Sequence, residues 1–207
     1  MKKAFSMIIS VFLLLNLLSV NVASAGKVDS QSEVILQLKA NEEQLKILNS
    51  LDRTDMTLYE VIREVFPKEF SKLDRETKIK LSMMRYGEQN NGDGVGIFAD
   101  LTYGSEITGY GNSLKFWSYN DLSWVSPEMW VESKLIDDDT GDIVEYALEA
   151  ATYTSYLEAG DIEDPPTGNY RVHGDHWWLY YDSLYNDWLW LHLVSHTRTF
   201  SYVNPYE

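Results

Sequence analysis

The sequence predicts an all-β sandwich preceded by a small α-helical segment, and three observations carry that expectation. Charge and aromatic content change abruptly near residue 90. Before that point, apolar residues recur at helical spacing. After it, short apolar runs alternate with Asp- and Gly-rich turns roughly every ten residues, the pattern of a two-layered β domain.

The composition step is large. Residues 26–90 hold eleven Lys/Arg against twelve Asp/Glu, whereas residues 91–207 hold four against twenty. All seven tryptophans and all four histidines fall in the second part. Gly87-Glu-Gln-Asn-Asn-Gly-Asp-Gly-Val-Gly96 supplies linker chemistry at the boundary. The chain therefore divides into residues 1–25, 26–90 and 91–207.

Residues 1–25 read as a secretory signal peptide: Lys2-Lys3, an apolar run from Met7 to Val20, then Ala23-Ser24-Ala25. Ser10 and Asn16 interrupt a run already shorter than the ~20 apolar residues that span a bilayer. The expected location is extracellular or in the cell envelope of a bacterium, with no membrane attachment once the signal is removed. The chain has no cysteine, which excludes disulfides, thiol catalysis and cysteine–zinc sites. Its formal net charge of −15 becomes −17 when Lys2 and Lys3 leave. Such a surface repels nucleic-acid phosphates and anionic headgroups, so neither is an expected partner.

The helical segment justifies itself residue by residue. A first helix is expected over Ser32 to Ser50, with Ile35, Leu38, Leu45 and Leu48 as its stripe. Thr57 and Glu60 form a capping box ahead of Leu58, Val61, Ile62, Val65 and Phe66, which share one helix face. Pro67 bends or restarts the chain. A third helix begins at an Asp74 cap and carries Ile79, Leu81 and Met84. These stripes must cover one another or a sheet.

Strands are expected at residues 95–103, 113–119, 129–136, 143–147, 151–157, 170–181 and 187–202. Asp137-Asp-Asp-Thr-Gly-Asp142 joins two of them by hairpin chemistry. Within this part, Gly168-Asn169-Tyr170-Arg171-Val172 resembles the stretch opening the sixth strand of immunoglobulin-like sandwiches. The resemblance implies a Tyr170 hydroxyl tied back to the preceding corner, with Val172 where antibody domains place a cysteine. It implies a fold and no particular role.

The stretch from His176 to His192 packs four tryptophans and three tyrosines into seventeen residues. A four-residue loop, 183–186, sets Asp182 opposite Asp187. Tyr181 then faces Trp188, Leu179 faces Trp190, Trp177 faces His192, Asp175 faces Val194, His173 faces His196 and Arg171 faces Arg198. The other face pairs Tyr180 with Leu189, Trp178 with Leu191 and His176 with Leu193. We assign the leucine face to the core, because a one-residue slip would mix the two sets. That leaves Trp177, Leu179, Tyr181, Trp188 and Trp190 outward. They are covered by the helices, serve as a platform for a glycan, peptide or protein partner, or mediate strand swapping or self-association through the same hairpin.

Catalytic chemistry finds little footing. His192 and His196 lie about 13 Å apart along a strand, and only His173 and His196 converge, with Asp175 as a candidate third ligand, whereas a zinc site needs at least three protein ligands. The Asp137–Asp142 cluster departs from calcium-loop spacing. No Gly-x-Ser-x-Gly elbow or phosphate-cradling loop occurs. The expectation is an exported, non-enzymatic binding or structural module. It needs no cofactor and binds a glycan or protein through Trp177, Tyr181, Trp188, Trp190 and His192. A metal- or carboxylate-dependent hydrolase and an acidic inhibitor or immunity-type protein are the alternatives.

Overall fold

The computed structural model describes residues 32–86 and 101–207. The expected signal peptide and the expected linker lie outside the described residues, as does the start of the strand expected at 95–103. The described chain is mostly antiparallel β-structure: β1 (Glu33–Lys39), β2 (Leu101–Tyr110), β3 (Ser113–Asp137), β4 (Ile143–Glu163), β5 (Gly168–Asp182), β6 (Asp187–His196) and β7 (Phe200–Tyr202). Four short helices, α1 (Glu42–Ser50), α2 (Leu58–Val65), α3 (Pro67–Lys72) and α4 (Arg75–Leu81), separate β1 from β2.

The strands form one sheet in the order β1-β4-β3-β5-β6, with β2 added to β3 and β7 to β5. β3 spans 25 residues, roughly 80 Å if straight and about twice the width of a domain this size. It must therefore bend. Its pairing with β4 shifts between Asp121 and Ser126, and β4 turns at the same place through Tyr153, whose φ of 47° is left-handed. The sheet doubles over at that bend. β2 and the first half of β3 then face β5 and β6, where Tyr103 meets the ring of His176 edge-on at 5.3 Å.

Sequence expectation split each long strand into two, at residues 119–129 in β3 and 147–151 in β4. In β4 the pairing with β3 runs unbroken through residues 147–151. In β3 it lapses between Asp121 and Ser126, where the Ser126 hydroxyl lies within hydrogen-bond distance of the Glu128 and Leu179 carbonyls and ties the bend. The expected helix over 32–50 is also corrected. Residues 33–39 pair with β4 as an edge strand. β-branched Val34 and Ile35 suit a strand, and the capping box of Asn41 with Gln44 starts the helix only at Glu42.

The caps at Thr57 and Asp74 form as expected, as does the helix start at Pro67. Leu58, Val61, Ile62, Val65 and Phe66 are all buried, although Ile79 stays exposed. The helices cover the sheet: their stripes join Trp130, Tyr146, Leu148 and Trp177 in one cluster. On the opposite face, Met129, Val131, Trp178 and Leu191 pack with Leu122, Leu157 and Ala159 of the doubled-over half. A third cluster, around Leu114, Phe116, Leu135, Tyr170 and Val172, closes the far end. The Tyr170 hydroxyl donates to the Pro166 carbonyl at 2.7 Å, closing the corner.

Close approach of β3 and β4 requires a glycine at 160. A Cβ there would stand 2.2 Å from the Phe116 carbonyl oxygen and 2.6 Å from Trp117 Cα. Gly160→Ala should cost about 3 kcal/mol in urea denaturation. A loss within error would mean that the two strands are not packed so tightly.

Candidate functional site

The β5–β6 hairpin forms in the expected register, from Asp182 opposite Asp187 to His173 opposite His196. The Asp182 carboxylate accepts the Leu184 and Tyr185 amides, and Asn186 takes a positive φ of 54°, so the loop closes in four residues. The pairing stops short of Arg171 and Arg198. Thr197 instead bonds Val172 through its amide and hydroxyl, and Arg171 reaches Asp138 at 2.7 Å.

The two faces are as distinct as the alternation requires. Trp178 and Leu191 point into the doubled sheet. Trp177 points at the helices and is only 1 % exposed. This corrects the expectation that Trp177 and His192 form an open platform. The two rings stack at 4.6 Å, 8° from parallel, inside the protein. Trp190 is half-buried against the same helical cluster. Only the hairpin end escapes the cover, where Tyr181 is 47 % and Trp188 50 % exposed.

There the β3 bend and the hairpin enclose an open groove of about 310 Å³, lined by Trp124, Val125, Pro127, Leu179, Tyr180, Tyr181 and Trp188. No ionisable group other than tyrosine lines it. Tyr181 and Trp188 meet at 67° with centroids 5.4 Å apart, and the Tyr181 hydroxyl donates to Asn186. Asp182 and Asp187 flank the tip. Sequence reading missed Trp124, Val125 and Pro127, because only the bend of β3 brings them beside the hairpin.

Two polar seams lie deeper. Under the helices, buried Lys134 bonds Glu132 at 2.7 Å and also Asp175, and Asp175 accepts the His192 Nε2–H at 2.9 Å. Tyr86, at the end of the helical segment, donates to Glu132 at 2.8 Å. Burial opposes the Asp175 charge, yet Lys134 and the hydrogen bonds from His173 and His192 hold it well below the usual carboxylate range. Lys80 of α4 bonds Glu128, whose other oxygen accepts the Trp130 indole N–H. His173 and His196 stand opposite each other as the sequence predicts, and the Asp175 carboxylate draws in both His173, at 3.4 Å, and His192, which the sequence did not link to it.

The second seam joins the two halves of the doubled sheet. His176 Nδ1–H donates to Asn120 Oδ1 at 2.8 Å, and Ser195 Oγ lies 2.7 Å from Nε2. Ser195 continues to Ser105 at 2.6 Å and Ser105 to Ser118 at 2.8 Å. The geometry is that of a serine, its base and an orienting amide. Burial, which outweighs the opposing pull of Asp175 and is reinforced by His192, His173 and Lys134, pushes His176 down to about 3, too weak a base for neutral pH. These side chains act as a clasp. Gly174 makes room for it, since a Cβ there would stand 2.4 Å from Ser118 Oγ. No sequence signal linked Ser195 to His176, because they meet only across paired strands.

The acidic turn is structurally occupied. Asp137 accepts the Asp139 and Thr140 amides, and Asp138 bonds Arg171 and Thr199. Among the described residues, no group of three or more His, Asp or Glu could hold a metal ion. No described helix is long and apolar enough to cross a membrane.

Titration should show two limbs. The folded His176 refuses the proton it would take when unfolded, so its stabilisation is complete above pH 6.5 and lost as pH falls toward 3. Over that range the stability advantage of wild type over His176→Gln should fall by on the order of 4 kcal/mol. Glu145 and Glu149 behave oppositely. Burial, reinforced by Glu163 and Glu158 respectively, raises each to about 7, so stability declines as pH rises from their ordinary 4.5 toward 7. Glu149→Gln should flatten that decline. Urea midpoints across pH for the three proteins check both limbs.

Comparison of the chain with family models, with curated proteins and with solved structures yields no match. The functional reading therefore stands on geometry and charge.

Proposed function

We propose that this is an exported binding module of the cell exterior. Its groove at the β5–β6 tip takes an apolar anchor side chain from a basic protein partner. The carrying observation is the groove itself: apolar, open and built on a hairpin whose inner end is fixed by buried Trp177 and Trp178. A rigid aromatic pocket at a surface otherwise rich in carboxylates has the anatomy of an interface hot spot.

Two details favour a protein over a glycan. Tyr181 and Trp188 are tilted against each other rather than laid flat, whereas sugar rings stack on open aromatic planes. The Tyr181 hydroxyl, which could have contacted sugar hydroxyls, is engaged by Asn186. The charge of −15 supports a basic partner, with the acidic inhibitor or immunity type as the nearest kind of role. The doubled sheet and the Tyr170 corner support a sandwich scaffold, the corner being the feature that speaks for an immunoglobulin-like one. The signal-like first 25 residues support export.

Selection of displayed peptides on the wild-type protein should converge on an aromatic or aliphatic anchor flanked by Lys or Arg. Tyr181→Ala/Trp188→Ala should abolish capture of those peptides while shifting stability by less than about 1 kcal/mol. Trp177→Ala should cost about 3–5 kcal/mol. Binding of soluble oligosaccharides with no peptide convergence would replace the protein reading by the glycan one.

A further inference from the structure

The sheet ends differently at its two outer strands. β1 carries Glu33, Gln37 and Lys39, and its register with β4 shifts between Val34 and Leu36. Charges and a bulge are the devices that keep an edge strand from pairing further. β6 has no bulge, and its one carboxylate, Asp187, stands at its first position. It reads Asp187-Trp-Leu-Trp-Leu-His-Leu-Val-Ser-His196, with no proline, no lysine and a single carboxylate. Its register with β5 runs unbroken over ten residues. Among the described residues, β5 is its sole hydrogen-bonded neighbour. Apolar along its middle and unbroken in register, such an edge is a template for another strand. The adjoining loop adds Leu184 and Tyr185, 83 % and 70 % exposed.

We propose that β6 pairs antiparallel with β6 of a second copy, making one sheet continuous across a two-fold dimer. This goes beyond the groove, which opens on the face of the hairpin rather than along its edge. Charge along the strand selects a second copy. The tip end carries Asp182 and Asp187, and the other end carries His196 and Arg198. Of the four basic residues in this half of the chain, Lys134 is buried on Glu132, Arg171 is bound to Asp138 and Lys115 packs over Trp117. Arg198 remains exposed. Antiparallel pairing about Leu191 lays each acidic tip beside the cationic end of the other copy. It sets Asp187 across from Ser195, Trp188 across from Val194 and Trp190 across from His192, so no two carboxylates face each other. Like faces stay together, because the register preserves the alternation. An isologous contact of this kind closes on itself and stops at two.

Sedimentation equilibrium of the purified full chain should give twice the 23.9 kDa monomer mass. Arg198→Glu should weaken the dimer by about tenfold, and adding Asp187→Arg to it should recover part of the loss through the charge of the facing tip. Neither side chain lies in the core, so both proteins should fold. Hydrogen exchange at the amides of residues 188–194 should slow on dimerisation. A monomer at every accessible concentration overturns the proposal. So does a dimer indifferent to both substitutions whose β6 amides exchange freely. Either result leaves the peptide-capture test of the groove unaffected.

Discussion

A strand with adjacent tryptophans cannot hide both on one side. Trp177 and Trp178 of β5 point to opposite faces, and both are almost completely buried, so each face of the sheet needs its own cover. The helices supply one. The sheet supplies the other by doubling back on itself, which explains why β3 and β4 are so long and why both bend at the same place. Alternation in one strand thus dictates a layer on each side. It also dictates where cover runs out: toward the hairpin tip, beyond the reach of the helices, the rings of Tyr181 and Trp188 remain in solvent.

Each interface is apolar at its centre and has a polar seam. On the helical side the seam is ionic, with Lys134 between Glu132 and Asp175 and with Tyr86 and Lys80 reaching in from the helical segment. On the other it is neutral, a chain of hydroxyls ending on His176 and Asn120. Hydrocarbon alone would let two layers slide. Buried polar groups that bond only in one arrangement set the register between layers, because a slip would strand them without partners. The seams are incomplete, since among the described residues the Trp177 indole N–H on one side and the Asn120 amide nitrogen on the other are buried without a hydrogen bond. The same burial lowers the basicity of His176, and its bonds to Ser195 and Asn120 tie the two halves of the doubled sheet together.

Much of this was legible in the sequence where the signal is local. Capping residues Thr57 and Asp74 set helix starts, and the period-two pattern of residues 173–196 set the hairpin register. What was not legible depends on distant partners. Val34 to Lys39 could join a helical stripe or an edge strand, and only the edge of β4 decides between them. The bends of β3 and β4 follow from packing across the sheet, which also creates the groove at Trp124. The burial of His192 could not be read from its alternation, which says which way a side chain points and nothing about what covers it. The composition step at residue 90 is real, yet the two sides share a core through Trp130, Tyr146 and Trp177.

The aromatic rings of the hairpin are buried on both faces of the sheet and bare only at its tip. Fluorine-labelled tryptophan spectra of the intact chain, recorded with a soluble paramagnetic quencher, test it one ring at a time. Trp130, Trp177 and Trp178 should be unaffected, Trp190 broadened partly and Trp188 strongly. Equal broadening of Trp177 and Trp188 would mean that the helices do not cover the sheet, and the two-sided account would fail.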